Sequence, residues 1–135
     1  MTTAYAVAHM RQVTPGPWIV EYLETIDATL APFGGRFVVH GGDVEVVENS
    51  WPGHLIVIEF PGRQHVRDWY NSPAYQAILS LRTENSQSDV IFVDGVEHPH
   101  NATDVLGQRE KIDVSCARYG PAPFRPRREQ GRPPG

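Results

Sequence analysis

The chain has 135 residues, of which 40% are hydrophobic, with a formal net charge of −4 and a single cysteine, Cys116. This length predicts one domain with an appendage rather than two full domains, and one cysteine excludes an intrachain disulfide and points to a reducing compartment. Residues 1–117 hold 7 basic and 15 acidic side chains, net −8, which argues against a nucleic-acid-binding face; residues 118–135 hold 5 arginines and one acid, net +4. No apolar run is long enough to span a membrane, and no basic stretch followed by an apolar one marks a secretory signal. The expectation is a soluble cytoplasmic protein with no membrane partner.

Ala4–Val13 reads as the first strand. By the two-residue strand period, Tyr5, Val7, His9 and Arg11 share one face and Ala6, Ala8 and Met10 the other, where small side chains leave room for a helix. Thr14-Pro15-Gly16-Pro17 ends the strand, with Thr14 as a helix cap and Pro15 in the first turn. From Trp18, apolar residues recur at helical spacing through Ile19, Tyr22, Leu23, Ile26 and Leu30. Pro32 closes that helix, and Gly34-Gly35 supplies a left-handed exit.

Arg36–His40 is the second strand. Gly41-Gly42-Asp43 is a turn signal, so Val44–Glu48 is expected to return as a hairpin arm or a bulged continuation. His54–Phe60 is the third strand; its run Leu55-Ile56-Val57-Ile58 predicts a central position covered on both faces. Pro61-Gly62 opens a second helix with Val66, Trp69 and Tyr70 inward. Ser72-Pro73 is a new cap and first-turn pair, so this helix stops and restarts, carrying its stripe on through Tyr75, Ile78, Leu79 and Leu81. Asp89–Val96 is the fourth strand.

The order β-α-β-β-α-β predicts an α+β, ferredoxin-like domain over residues 1–97: a four-stranded antiparallel sheet with two helices on one face. Residues 98–135 read as a polar and then Pro/Arg-rich extension. Ile112, Val114 and Cys116 alternate as a short extra strand, and disorder is expected from about residue 120.

Three stretches carry a family resemblance: Phe33-Gly34-Gly35-Arg36-Phe37 through Gly41-Gly42, Val57-Ile58-Glu59-Phe60-Pro61, and Trp69-Tyr70-Asn71-Ser72-Pro73-Ala74-Tyr75-Gln76 to Leu81-Arg82. Together, in order and spanning about Ala4 to Gly95, they resemble the bacterial family of unknown function DUF1330, within the dimeric α/β-barrel superfamily. Two features depart from its pattern: Gly62 stands where a polar helix cap is usual, and the tail after Glu97 is long. The resemblance implies a homodimer whose two sheets face each other around a barrel-like cavity. It implies no established activity. Superfamily relatives include cofactor-free oxygenases, dehydratases, isomerases and haem-binding proteins, which is analogy at the level of fold.

Independently of the family, helices on one face leave Val7, Val38 and Val57 exposed on the other, and dimerisation is the simple remedy. Strand alternation then places His9, Arg36, His40 and Glu59 on that same face with Tyr5. The expected site is therefore catalytic His40, His9 and Glu59, with Arg36 and Tyr5 holding substrate; burial there would raise the Glu59 pKa and lower those of the histidines. The structural alternative is an ion pair of Glu59 with Arg36 or a histidine. A two-histidine, one-carboxylate metal site from His9, His40 and Glu59 has no supporting spacing motif, so no metal is expected. Trp69, Tyr70 and Tyr75 read either as core or as the mouth of a substrate pocket, and Trp51 and His54 as its gate or as ordinary turn geometry. His98-Pro99-His100 reads as a solvated turn, and Cys116 has no catalytic partners in sequence. No glycine-rich phosphate loop is present, and no organic cofactor is expected.

The functional expectation is a cofactor-independent small-molecule enzyme of acid–base isomerase, cyclase, dehydratase or oxygenase type, with specialised metabolism as its expected setting. The alternatives are a non-catalytic ligand-binding or stress-related module, and a structural dimer whose basic tail, disordered or acting as a tether to an acidic partner, recruits another molecule. Nucleic acid is not an expected partner, because the acidic body opposes it.

Overall fold

The computed structural model describes residues 2–108. By contact it divides after Glu97. In the first unit, β1 (Ala4–Val13), β2 (Arg36–His40), β3 (His54–Phe60) and β4 (Ser86–Asp94) form one sheet in the order β2-β3-β1-β4. Every neighbouring pair is antiparallel. Helix α1 (Pro17–Leu30) crosses from β1 toward β2, and α2 (Arg63–Tyr70) and α3 (Pro73–Thr83) together make the crossover from β3 to β4.

Alternation builds the core. Ala4, Ala6 and Met10 of β1 and Ile58 and Phe60 of β3 are buried. Of these, Ala4, Ala6, Ile58 and Phe60 pack with Tyr22, Ile26 and Leu30 of α1, Val66 and Trp69 of α2, and Tyr75 and Ile78 of α3. The helices therefore cover a single face of the sheet. Ser72 separates α2 from α3 as its sequence suggests: its Oγ accepts the Tyr75 N–H at 3.2 Å and donates to the Trp69 carbonyl at 2.7 Å. Gly34 takes the left-handed exit after the 3-10 turn Ala31–Phe33, with φ +73°, where a side chain would be strained.

Four local expectations are corrected. Thr14 does not cap α1: Gly16 holds that position and Pro17 enters the first turn, while the Thr14 N–H donates instead to the Asn85 carbonyl. Val44–Glu48 does not pair as a hairpin arm; residues 42–47 have no regular structure, and β2 pairs directly with β3. β4 begins at Ser86, because the ten-residue β1 still offers partners at Gln12 and Val13 for Gln87 and Ser86. β3 is an internal strand as its apolar run predicts, but within one chain only its helix-facing side is covered: Ile58 and Phe60 are buried, while Leu55 and Val57 are half-buried on the open face.

Gly53 locks the long β2–β3 loop onto β1. Its φ is +82°, and an added Cβ would lie 1.8 Å from the Met10 carbonyl oxygen. This close approach falls where the β1–β4 register shifts, between Met10 and Gln12.

The second unit is described as far as Gln108 and holds a 3-10 turn over Ala102–Gln108. His98 and His100 are exposed, and His100 Nδ1 lies 3.8 Å from an Asp104 carboxylate oxygen. The short strand read at Ile112–Cys116, the disorder expected from about residue 120, the basic tail and Cys116 all lie outside the described residues.

Candidate functional site: a cavity between sheet and helices

The strand registers decide which sequence candidates meet. Tyr5 lies opposite Glu59 and Val93, Val7 opposite Val57 and Ile91, and His9 opposite Leu55 and Asp89. Arg36 also lies opposite Glu59. Tyr5, His9, Arg36 and Glu59 therefore do share the open face. His40 does not. The β2–β3 register shifts between Phe37 and Val39, so Val39 faces Val57 and His40 faces Ile56, on the helix side. One extra residue in β2 inverts everything beyond it, the known consequence of a bulge.

Even the residues on the open face do not form one constellation. His9 and Glu59 sit at positions of β1 and its partner four residues apart, about 13 Å along the strand. Arg36 Nε donates to Glu59 at 2.6 Å, an ion pair at one end of the sheet. At the other end, the His9 ring stacks on Trp51 with centroids 3.9 Å apart, and its Nε2 donates to the Pro52 carbonyl at 2.7 Å. That bond occupies one ring nitrogen. Tyr5 packs beside Gly95. Among the described residues, no three His, Cys, Asp or Glu side chains gather as a metal site.

The concave site lies on the opposite face. A cavity of about 310 Å3 opens between the helix layer and the sheet. Its floor includes Ala6 and Ala8, two methyl-sized side chains on the central strand β1, flanked by Ile56 and Ile58 of β3 and Val90 of β4. Bulkier floor residues would fill this space, so the alanine stripe creates the void. Its roof brings Trp69, Tyr70 and Tyr75, three residues expected to bind substrate, together with Tyr22. Trp69 is anchored by its Nε1–H donating to Thr29 Oγ1 at 2.9 Å, and its ring lies 4.2 Å from that of Tyr75.

Two ends of the cavity differ chemically. His40 and His54 both line it and are both exposed, so they form its rim on the β2–β3 side. His40 stacks on Phe37 at 4.3 Å, and it has no hydrogen-bond partner among the described residues, which leaves its ring nitrogens available. On the β4 side, three strand spacings or about 14 Å away, lies a buried polar corner. Tyr22 and Tyr75 share a hydrogen bond of 2.6 Å between hydroxyls. Arg82 donates from Nε to Tyr75 Oη at 3.4 Å and from Nη1 to Ser88 Oγ at 2.9 Å. Burial, followed by the neighbouring Tyr75 hydroxyl, pushes the Tyr22 phenol well above its ordinary value, against the opposing pull of Arg82. Tyr22 is therefore a neutral hydroxyl at any physiological pH.

Sequence reasoning did not single out Arg82 or Tyr22. A signal was present: Tyr75, Ile78, Leu79 and Arg82 follow the i, i+3, i+4, i+7 spacing of one helix face, so the arginine occupies a core position. Tyr22 likewise sits in the stripe of Ile19 and Ile26.

Fold and cavity together define a ferredoxin-like α+β protein with a small-molecule-sized pocket beneath its helices. The sequence matches the model of the domain of unknown function DUF1330 over residues 3–96, and the chain belongs to that family. No functionally curated protein matches it. Among solved structures, a protein of unknown function from Rhodopseudomonas palustris is 14% identical, with a TM-score of 0.55 over 71% of this chain and 84% of that one. A dimeric ferredoxin-like protein of unknown function from Jannaschia sp. CCS1 is 10% identical, with a TM-score of 0.53 over 69% and 99%. The cofactor-independent oxygenase SnoaB of Streptomyces nogalater is 12% identical, with a TM-score of 0.52 over 74% and 100%. At these identities the likeness is one of fold.

Proposed function

We propose that the cavity between helices and sheet binds a largely apolar small molecule, and that the protein acts on it by acid–base chemistry without an organic cofactor. The observation that carries this reading is the cavity itself: about 310 Å3, floored by alanines, walled by aromatic rings, with an imidazole at its rim that has no hydrogen-bond partner among the described residues. Its size is at the lower end of small-ligand sites. His40 is the proton acceptor of the reading, Trp69, Tyr70 and Tyr75 hold the substrate, and Glu59 and His9 lie outside the cavity. The cofactor-independent oxygenase among the structural relatives supports the reading as an analogy of fold.

Deuterium uptake from D2O into the α-carbon of 2-tetralone, followed by proton NMR, tests the reading. The protein accelerates the exchange, and His40→Gln lowers the acceleration by about a hundredfold. Binding of 2-tetralone without accelerated exchange would instead favour a non-catalytic binding module, a reading supported by the exposed position of both rim histidines. Absence of binding would remove both.

We further propose a homodimer through the open sheet face. Ile91 and Val93 on that face are 57% and 41% exposed, and they adjoin Val7 and Tyr5. The dimeric relative from Jannaschia supports a second copy as the occupant. A cytoplasmic location belongs to the same reading, supported by the single cysteine. No helix among the described residues is long and apolar enough to cross a membrane.

A further inference from the structure

Arg82 is 7% exposed, and its hydrogen-bond partners are the neutral hydroxyls of Tyr75 and Ser88. Among the described residues no carboxylate pairs with it. This departs from the general pattern, because a buried charge is normally paired, and an isolated one is costly. The surroundings do not resolve the imbalance. The lining of the cavity is aliphatic and aromatic apart from this corner and the two rim histidines, and none of its lining residues is an acid. The other arginines with described ion pairs behave differently: Arg11, Arg36 and Arg63 each hold a carboxylate, of Asp89, Glu59 and Asp94 respectively. Arg67 also has no carboxylate partner among the described residues, but it is exposed to water, whereas Arg82 is buried and lines the cavity.

The position of Arg82 is also fixed. It stands one helical repeat after Tyr75 on the inward face of α3, and its guanidinium is braced from β4 by Ser88 and from the roof by Tyr75, whose hydroxyl is itself engaged by Tyr22. A flexible surface arginine would lose rotamer freedom on meeting a ligand; this one has already lost it, so an incoming oxyanion meets a preorganised donor. Planar guanidinium geometry suits an oxyanion in particular.

We propose that Arg82, with the Tyr22–Tyr75 hydroxyl pair, is an anion-anchoring subsite, and that the cavity takes a ring-bearing monoanion whose carboxylate lies at the β4 corner while its apolar body extends toward His40 and His54. This rests on the reading of the cavity as a ligand site and adds to it the charge and direction of the ligand. The ligand supplies the counterion that the described residues do not. Arg82 is a binding residue in this assignment, and the aromatic walls select flat apolar bodies.

Isothermal titration with 2-naphthoate and 2-naphthamide, which share a shape and differ in charge, tests it. The wild-type protein binds the carboxylate at least about tenfold more tightly than the amide, as expected for a charge-assisted contact. In Arg82→Gln that preference falls to near unity while amide affinity stays within about threefold, and Arg82→Lys keeps part of the preference. A wild-type preference near unity, or one that survives Arg82→Gln unchanged, overturns the anion subsite and leaves the cavity reading standing. If neither compound binds, the cavity reading falls, and the subsite with it. A purely structural Arg82 would change both affinities together. Should Arg82→Gln fail to fold, the wild-type ratio and its response to Ser88→Ala decide the question.

Discussion

At the residue scale, the buried corner of Tyr22, Tyr75 and Arg82 makes a prediction about pH. The folded state holds the Tyr22 phenol protonated, while unfolding returns it to its ordinary value of 10.0. Stability linked to this group is therefore fully present below about pH 10 and is lost as pH rises above it, because the unfolded chain then releases a proton that the folded chain keeps. Thermal melts between pH 8 and 11 should show this loss in the wild type and a smaller one in Tyr22→Phe. At pH 7 the same variant should be less stable by about 1 kcal/mol, since the Tyr75 hydroxyl loses a buried partner. An equal alkaline loss in the variant would show that other groups govern it.

The elements convert such residues into a site. Ala6 and Ala8 leave the cavity open, so Ala8→Leu should abolish 2-naphthoate binding while leaving the fold intact, because the side chain enters existing space rather than a filled core. Calorimetry of binding with a parallel melt separates the two effects. Ser72 divides α2 from α3, and Ser72→Ala should cost about 1 kcal/mol in denaturant unfolding, the loss of a cap. Gly53 is under tighter constraint. Its positive φ and its approach to the Met10 carbonyl leave no room for a methyl group, so Gly53→Ala should cost about 2 kcal/mol. That substitution also disturbs the loop that carries Trp51 against His9 and ends at His54, so quenching of Trp51 fluorescence by iodide should rise.

For the whole molecule, the proposed dimer places its interface on the open sheet face. Ile91 lies opposite Val7 at its centre, and Ile91→Asp should convert the proposed dimer to monomers in sedimentation equilibrium. The cavity is on the other side of the sheet, so naphthoate affinity should change by less than about threefold. A parallel loss of binding would mean that the second copy contributes to the cavity.

Element order, strand boundaries for β1, β2 and β3, and the interrupted second helix were legible in the sequence, because each follows from local periodicity and from prolines and glycines that act within a few residues. Tyr75 and Trp69 were likewise legible as inward-facing. The identity of the site's face was not. Alternation carried Arg36 correctly to the open face but misplaced His40, since a single unpaired residue near Val38 shifts the phase and leaves no mark in a run of valines. Nor did periodicity alone show that the open face holds ion pairs and a ring stack at its two ends, or that the void lies beneath the helices. Those depend on which strands become neighbours. The core spacing of Arg82 on α3 can be read from periodicity alone; that no carboxylate among the described residues meets it there cannot, because pairing between α3 and β4 is set by packing across the layers and not along the chain.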